Sequence, residues 1–395
     1  LAGKAGSKIG KTCSNSIIPR AMKDLPLPLF YLLILLFLSY ESYGQSRPRD
    51  LGIPFGVLPS GKLNAITDVE GLKVGHLTKT EGESIRTGVT AILPHGGNIF
   101  QEKVPAAIYV GNGFGKLAGV TQVQELGLIE SPIILTNTLS VAAGIEGVVR
   151  YVLSQDGNES VQSVNAVVGE TNDGFLNDIR GMHIRVEDVI QAIQSAEPET
   201  IEEGNVGAGT GTVCFGWKGG IGTSSRVLPG SLGGYTVGVL VQSNFGGNLQ
   251  IASIPVGEKL EKYPFRSAIE KADGSCMIVV ATDAPLESRN LERLAKRAMM
   301  GLAKTGGIAS NGSGDYVIAF STAEEIRSKY NAESGSLENL QTLRNDDMSS
   351  LFMAVIEATE EAIINSLFAA ESMTGKEGRT VEALPKDQVL GWIKK

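Results

Sequence analysis

The stretch KADGSCMIVVATDAPL, residues 271–286, decides how the chain is read. Met277, Ile278, Val279, Val280 and Ala281 form an apolar run of strand formers, the signature of a buried strand. Asp273-Gly274-Ser275 before it reads as a turn. Upstream, residues 248–274 are polar, carry Pro255 and Pro264, and show no period, so they read as an exposed linker. Downstream, Leu291, Leu294, Ala295, Ala298 and Leu302 fall at helical spacing. DYVIAFST (315–322) reads as a strand, and MSSLFMAVIEATEEAIINSLFAA (348–370) as a long helix apolar on more than one side, hence held between layers.

The N-terminal half repeats this mixture. Residues 47–97 alternate short apolar runs with Gly, Pro and Asn turns, as hairpins do. A short helix is expected near Val120–Leu126, then a strand in SPIILTNT and a helix in SVAAGIEGVVRYVLSQ. VVGETNDG is a strand running into an acidic loop, and EDVIQAIQSA is helical. Residues 204–222 read as a glycine-rich strand pair, and TVGVLVQSN as a buried strand ending in Asn244. Many strands with a few apolar helices make a layered α+β architecture.

Composition narrows the function. With 395 residues, 42% of them hydrophobic and 20% charged, the chain is a folded protein and not a disordered one. A net charge of −8 without a basic stripe argues against a nucleic-acid partner. Residues 22–44 have the parts of a secretory signal: Lys23, an apolar run over Leu29–Leu38, and small residues at Ser42 and Gly44. That run is about ten residues, against the roughly twenty that span a bilayer, so cleavage near Gly44–Gln45 and a secreted or periplasmic destination are expected, with no stable membrane association afterwards. Residues 1–21 are basic and precede Met22, which reads as the native start. Cys214 and Cys276 lie in apolar runs and read as buried free thiols.

Familiar catalytic patterns are missing. His76, His95 and His183 are scattered without metal-ligand spacing, and no G-x-S-x-G occurs. VGAGTGT (206–212) has Thr212 where a dinucleotide fingerprint has its third glycine, so no cofactor is expected. Ser275 is the stronger candidate. A serine hydroxyl needs a base, and an N-terminal serine carries its own α-amine; cutting the chain at Gly274–Ser275 would supply it. Gly274 leaves its carbonyl unshielded and tolerates a strained backbone. The plain alternative is a turn serine that opens a strand. Ser313 and Asp315, two apart at a strand mouth, would project to one face, where a carboxylate can orient a hydroxyl; otherwise they belong to a solvated turn. Asn244 could donate to an oxyanion or cap a turn. Glu170 could hold an ammonium group or be a loop charge.

Taken together, VGETNDGFLND, VLVQSNFGG, GSCMIVVATDAPL, NGSGDYVIAFST and ESMTGKEGRTVEALP, in this order along the chain, resemble the DmpA-type L-aminopeptidase/D-esterase and β-aminopeptidase family. The resemblance covers residues 47–385. It implies an αββα sandwich similar to the N-terminal-nucleophile hydrolases with different strand connections. It implies one precursor that cuts itself between Gly274 and Ser275 into an α chain (45–274) and a β chain (275–395). It also implies Ser275 as nucleophile, Ser313 and Asp315 as its proton relay, Asn244 in the oxyanion hole and Glu170 on the substrate's amino group. Some relatives have Glu where this chain has Asp315. The implied substrates are small peptides, amides or esters with a free amino terminus, acted on without cofactor or metal by a homotetramer of αβ units. Two alternatives stand beside this: an acyltransferase related to the ornithine acetyltransferases, which have Thr at the cleavage point, and a non-catalytic extracellular binding protein on the same fold.

Overall fold

The strand that carries Ser275 divides its side chains between two cores. The structure, a computed structural model, describes residue 3 and residues 47–265, 273–332 and 335–393. The signal-peptide reading therefore lies outside the described residues. In chain order the framework consists of β1 (Lys73–Glu81), β2 (Ile85–Leu93), β3 (Glu102–Gly113), β4 (Ile133–Asn137), helix α1 (Val141–Leu153), β5 (Val167–Thr171), α2 (Val186–Gln194), β6 (Gly220–Val227), β7 (Thr236–Asn244), β8 (Asp273–Thr282), α3 (Ser288–Lys304), β9 (Gly312–Ser321) and α4 (Ser349–Ala369).

Among the described residues, one sheet runs β1-β2-β4-β5 and ends on the short strand Leu117–Ala118. The other runs β6-β7-β8-β9-β3, with β8 and β9 parallel and their outer neighbours antiparallel. Along β8, Met277, Val279 and Ala281 enter the core between the two sheets, with Ile92, Leu135, Val167, Leu240 and Ile318. Cys276, Ile278 and Val280 enter a second core with Leu291, Leu294 and Ala298 of α3 and Val355, Ala358 and Ala362 of α4. The outer face of the first sheet is closed by α1 and α2 through Val148, Val152, Val189 and Ile193. Helix, sheet, sheet, helix is the expected αββα sandwich. The period of two along each strand produces it, because each face must find its own apolar layer.

Two expectations are corrected. Asp273-Gly274-Ser275 is not a turn: β8 begins at Asp273, and Ser275 pairs Asn244 of β7 on one side and Gly314 of β9 on the other. The stretch 248–274 is not an exposed linker over its first part. Leu249, Ile251 and Val256 are buried in the core beneath α3 and α4, and Gln250–Ile251 pairs with Ile254–Pro255. These apolar residues are too widely spaced to show a period, yet a hairpin followed by one helical turn, Val256–Lys259, brings them to one side. Residues 266–272, just before the strand, lie outside the described ones. In 204–222 the strand pair is Val213–Cys214 with Trp217–Lys218, and Gly207–Gly209 forms a 3-10 turn. Cys214 and Cys276 are both free and buried, as expected.

Candidate active site

Ser275 stands at the open end of the central sheet, buried, with Asn244 directly across the antiparallel register. The Asn244 side chain is fixed at one end: its Oδ1 accepts the Val213 N–H at 2.9 Å. That leaves the amide group facing Ser275, where Nδ2 donates to Oγ at 3.4 Å. Hydroxyl and amide donor thus sit on one face, as an oxyanion-stabilising pair requires. Gly274 is extended and outside the left-handed region, so the strain expected of it is absent. What requires glycine there is packing. A Cβ at Gly274 would lie 2.5 Å from Phe245 Cα and 2.8 Å from the Asn244 carbonyl oxygen.

Ser313 and Asp315 form the second pair. Both are buried on β9, and Ser313 Oγ donates to Asp315 Oδ1 at 2.8 Å. Aspartate therefore reaches the hydroxyl despite being shorter than glutamate. Burial pushes the Asp315 carboxyl up to about 6, against the hydrogen bond from Ser313 that favours its charged form. Its other oxygen, Oδ2, is buried without a partner among the described residues. Asn112 braces the loop before this pair, donating from Nδ2 to the carbonyls of Ser310, at 2.8 Å, and Ser313.

The two pairs do not meet. Val317 and Ala319 of β9 belong to the core under the helices, and Tyr316, Ile318 and Phe320 to the core between the sheets. Alternation puts Ser313 and Asp315 on the helix side and Ser275, with Met277, on the inter-sheet side. Gly274, not Ser275, is the register partner of Ser313. Among the described residues no hydrogen bond joins the pairs while the chain runs uncut through Gly274–Ser275.

Glu170 comes from the other sheet, near the end of β5 and buried. Its Oε1 accepts the Lys116 N–H at 3.0 Å and lies 3.8 Å from the Lys116 ammonium; its Oε2 accepts from the Thr138 hydroxyl. A cleft of about 430 Å³ is lined by the apolar Val110, Leu117, Val120 and Val141 and by Lys116, Tyr316 and Gly115. Gly115 brings it beside the carboxylate, since a Cβ there would lie 3.1 Å from Glu170 Oε1. Sequence reasoning missed Tyr316 and Gly115. Tyr316 follows Asp315 directly, but only the face on which its ring falls links it to the site. Among the described residues no group of three or more His, Cys, Asp or Glu is placed to hold a metal ion.

A buried hydroxyl opposite a fixed amide donor, at the end of the central strands of an αββα sandwich, defines a class: a hydrolase on a variant of the N-terminal-nucleophile fold. The model of peptidase family S58 matches residues 64–381, and the chain belongs to that family. It is 41% identical over 375 residues, 88% of this chain and 92% of the other, to a β-peptidyl aminopeptidase of Sphingosinicella microcystinivorans. A protein of Pyrococcus horikoshii OT3 of known structure superposes with a TM-score of 0.82 at 48% identity, over 88% of this chain and 98% of the other. The L-aminopeptidase D-Ala-esterase/amidase of Ochrobactrum anthropi, a prototype of the serine aminopeptidases with a variant Ntn hydrolase fold, gives a TM-score of 0.81 at 34% identity, over 88% and 98% of the two chains.

Proposed function

We propose that this aminopeptidase cuts itself at Gly274–Ser275 and then removes the first residue from small peptides, amides or esters through an acyl-enzyme on Ser275. The observation that carries the reading is Ser275 facing the Asn244 amide behind a glycine that nothing larger can replace. In self-cleavage, Ser275 Oγ attacks the Gly274 carbonyl carbon, the C–N bond breaks, and the acyl group passes from nitrogen to oxygen. Water then hydrolyses the ester, leaving a Gly274 carboxylate and a free Ser275 α-amine. The cut removes the constraint that held Ser275 in mid-strand. Its ψ then sets where the amine points, and χ1 with it the hydroxyl, which frees them to turn toward Ser313 on the neighbouring strand.

In turnover, the Ser275 hydroxyl attacks the first carbonyl of the substrate and its proton passes through the α-amine to the leaving amine. Asn244 donates to the oxyanion, and Ser313 with Asp315 orients the amine-bearing terminus. Glu170 holds the substrate's ammonium, and the apolar cleft beside it takes the side chain of the first residue. Residues 22–44 direct export and are removed, and αβ units assemble as a homotetramer. The test is a panel of L-, D- and β-aminoacyl p-nitroanilides beside their N-acetylated forms. Free amines are turned over and acetylated ones are not. Equal rates on both would exclude an exo-acting enzyme.

The pH profile follows. The α-amine must be neutral, and an unperturbed one loses its proton at about 7.7–8.0. Asp315 must be charged, and its carboxyl takes up a proton as the pH falls through about 6. The logarithm of kcat/KM, which reports the groups of the free enzyme, should fall with slope one below the first value and slope two below the second. Stopped assays from pH 5 to 9 measure this, and a profile with no break near pH 6 removes Asp315 from the relay.

A further inference from the structure

Tyr316 is buried, yet its hydroxyl makes no hydrogen bond to any described residue. The ring leans over Gly314, the register neighbour of Ser275: a Cβ at Gly314 would lie 3.1 Å from Tyr316 Cε2. The far end of the ring reaches Gly115. A Cβ there would lie 3.1 Å from Glu170 Oε1 and 3.4 Å from the Tyr316 hydroxyl oxygen. The phenol thus spans from the position beside Ser275 to the carboxylate at the cleft mouth, and only a missing side chain keeps the space between the two oxygens open. Gly115 is not in the left-handed region, so its backbone does not demand glycine.

The geometry points to Tyr316 as a second acceptor for the substrate's ammonium group, shared with Glu170 across the gap at Gly115. The proposal rests on the reading of Glu170 as the amine site and names a residue that reading does not contain. Two convergent oxygens suit a cation with three N–H donors, and one hydroxyl with a free lone pair adds direction to the charge. Burial, with the Glu170 and Asp315 carboxyls nearby, raises the phenol above its ordinary value, so it stays a neutral hydroxyl.

The test uses the cleaved enzyme, the best aminoacyl p-nitroanilide of the panel, and the same acyl chain without its amine. Tyr316→Phe keeps the ring packed on Gly314 and should raise KM for the amine substrate about tenfold, the value of one hydrogen bond to a charged group, with kcat little changed. KM for the des-amino substrate should not move, a split that a merely structural role would not give. Gly115→Ala, whose Cβ would fill the gap while lying 3.3 Å from Tyr316 Cε2, should raise KM in the same selective way. A Tyr316→Phe enzyme with unchanged KM, while Glu170→Gln raises it, overturns the role of Tyr316 alone. If Glu170→Gln also leaves KM unchanged, the amine site itself is wrongly placed.

Discussion

Ser275→Ala should yield one uncut chain with no turnover. Wild type should run as two bands on a denaturing gel, the smaller one beginning Ser-Cys-Met-Ile. The single-chain variant should be lost to activity by on the order of 10⁶ in kcat, the scale set by deleting a serine nucleophile. The reason is that in the proposed mechanism one hydroxyl performs both reactions. Without Oγ no N-to-O acyl shift can begin, so no α-amine is released, and without either group there is neither nucleophile nor base. The fold should survive, because an alanine at 275 keeps the strand pairing with Asn244 and Gly314 and removes only one hydrogen bond. Edman sequencing and a p-nitroanilide assay on the same preparation read both outcomes. Two bands from Ser275→Ala, or turnover by the uncut variant, would contradict the assignment of Ser275.

Asn244→Ala should lower kcat by about 10²–10³, the range for removing one oxyanion donor, with KM little affected. The size follows from how tightly the amide is set. The Val213 N–H fixes its oxygen, so its donor end needs no reorganisation as charge develops on the substrate. Asn244→Asp is the informative companion. It keeps the shape and the acceptor for Val213 but turns the donor facing Ser275 into an anion, so it should lose at least as much. Chain cleavage must be scored separately, because the same amide faces the serine in the uncut chain, where the proposed self-processing would begin. A cleaved Asn244→Ala enzyme with kcat within threefold of wild type would place the oxyanion donor elsewhere.

Much of this site is legible in the sequence because strand geometry is local. A period of two makes any Ser-x-Asp in an extended segment a same-face pair, and Ser313 and Asp315 are 2.8 Å apart for that reason. The Gly274–Ser275 step and the Asn244 strand end are likewise readable as residues at the mouths of apolar runs. The helix Ser349–Ala369, apolar on more than one side, announces its own burial. Other features resist reading. Leu249, Ile251 and Val256 look like linker residues because their burial depends on a hairpin folding back under α3 and α4. Arg226 is fully buried against Glu357 and Glu361, more than a hundred residues away, in ion pairs of 3.1 and 2.7 Å that no local spacing foretells.

The sequence by itself determined the strands that are apolar runs, such as those through Val239, Val279 and Val317, which face each alternate residue on them shares, and which hydroxyls stand beside a carboxyl or a glycine. These depend on neighbours one and two residues away. Only the tertiary structure decided that Ser275 and the Ser313–Asp315 pair face opposite sides of one sheet in the uncut chain. The same is true of Glu170 arriving from the other sheet and of Tyr316 bridging the two across Gly115. Those relations depend on strand register and on how two sheets stack. Both are fixed by burying apolar faces contributed by distant parts of the chain, and no local spacing encodes them.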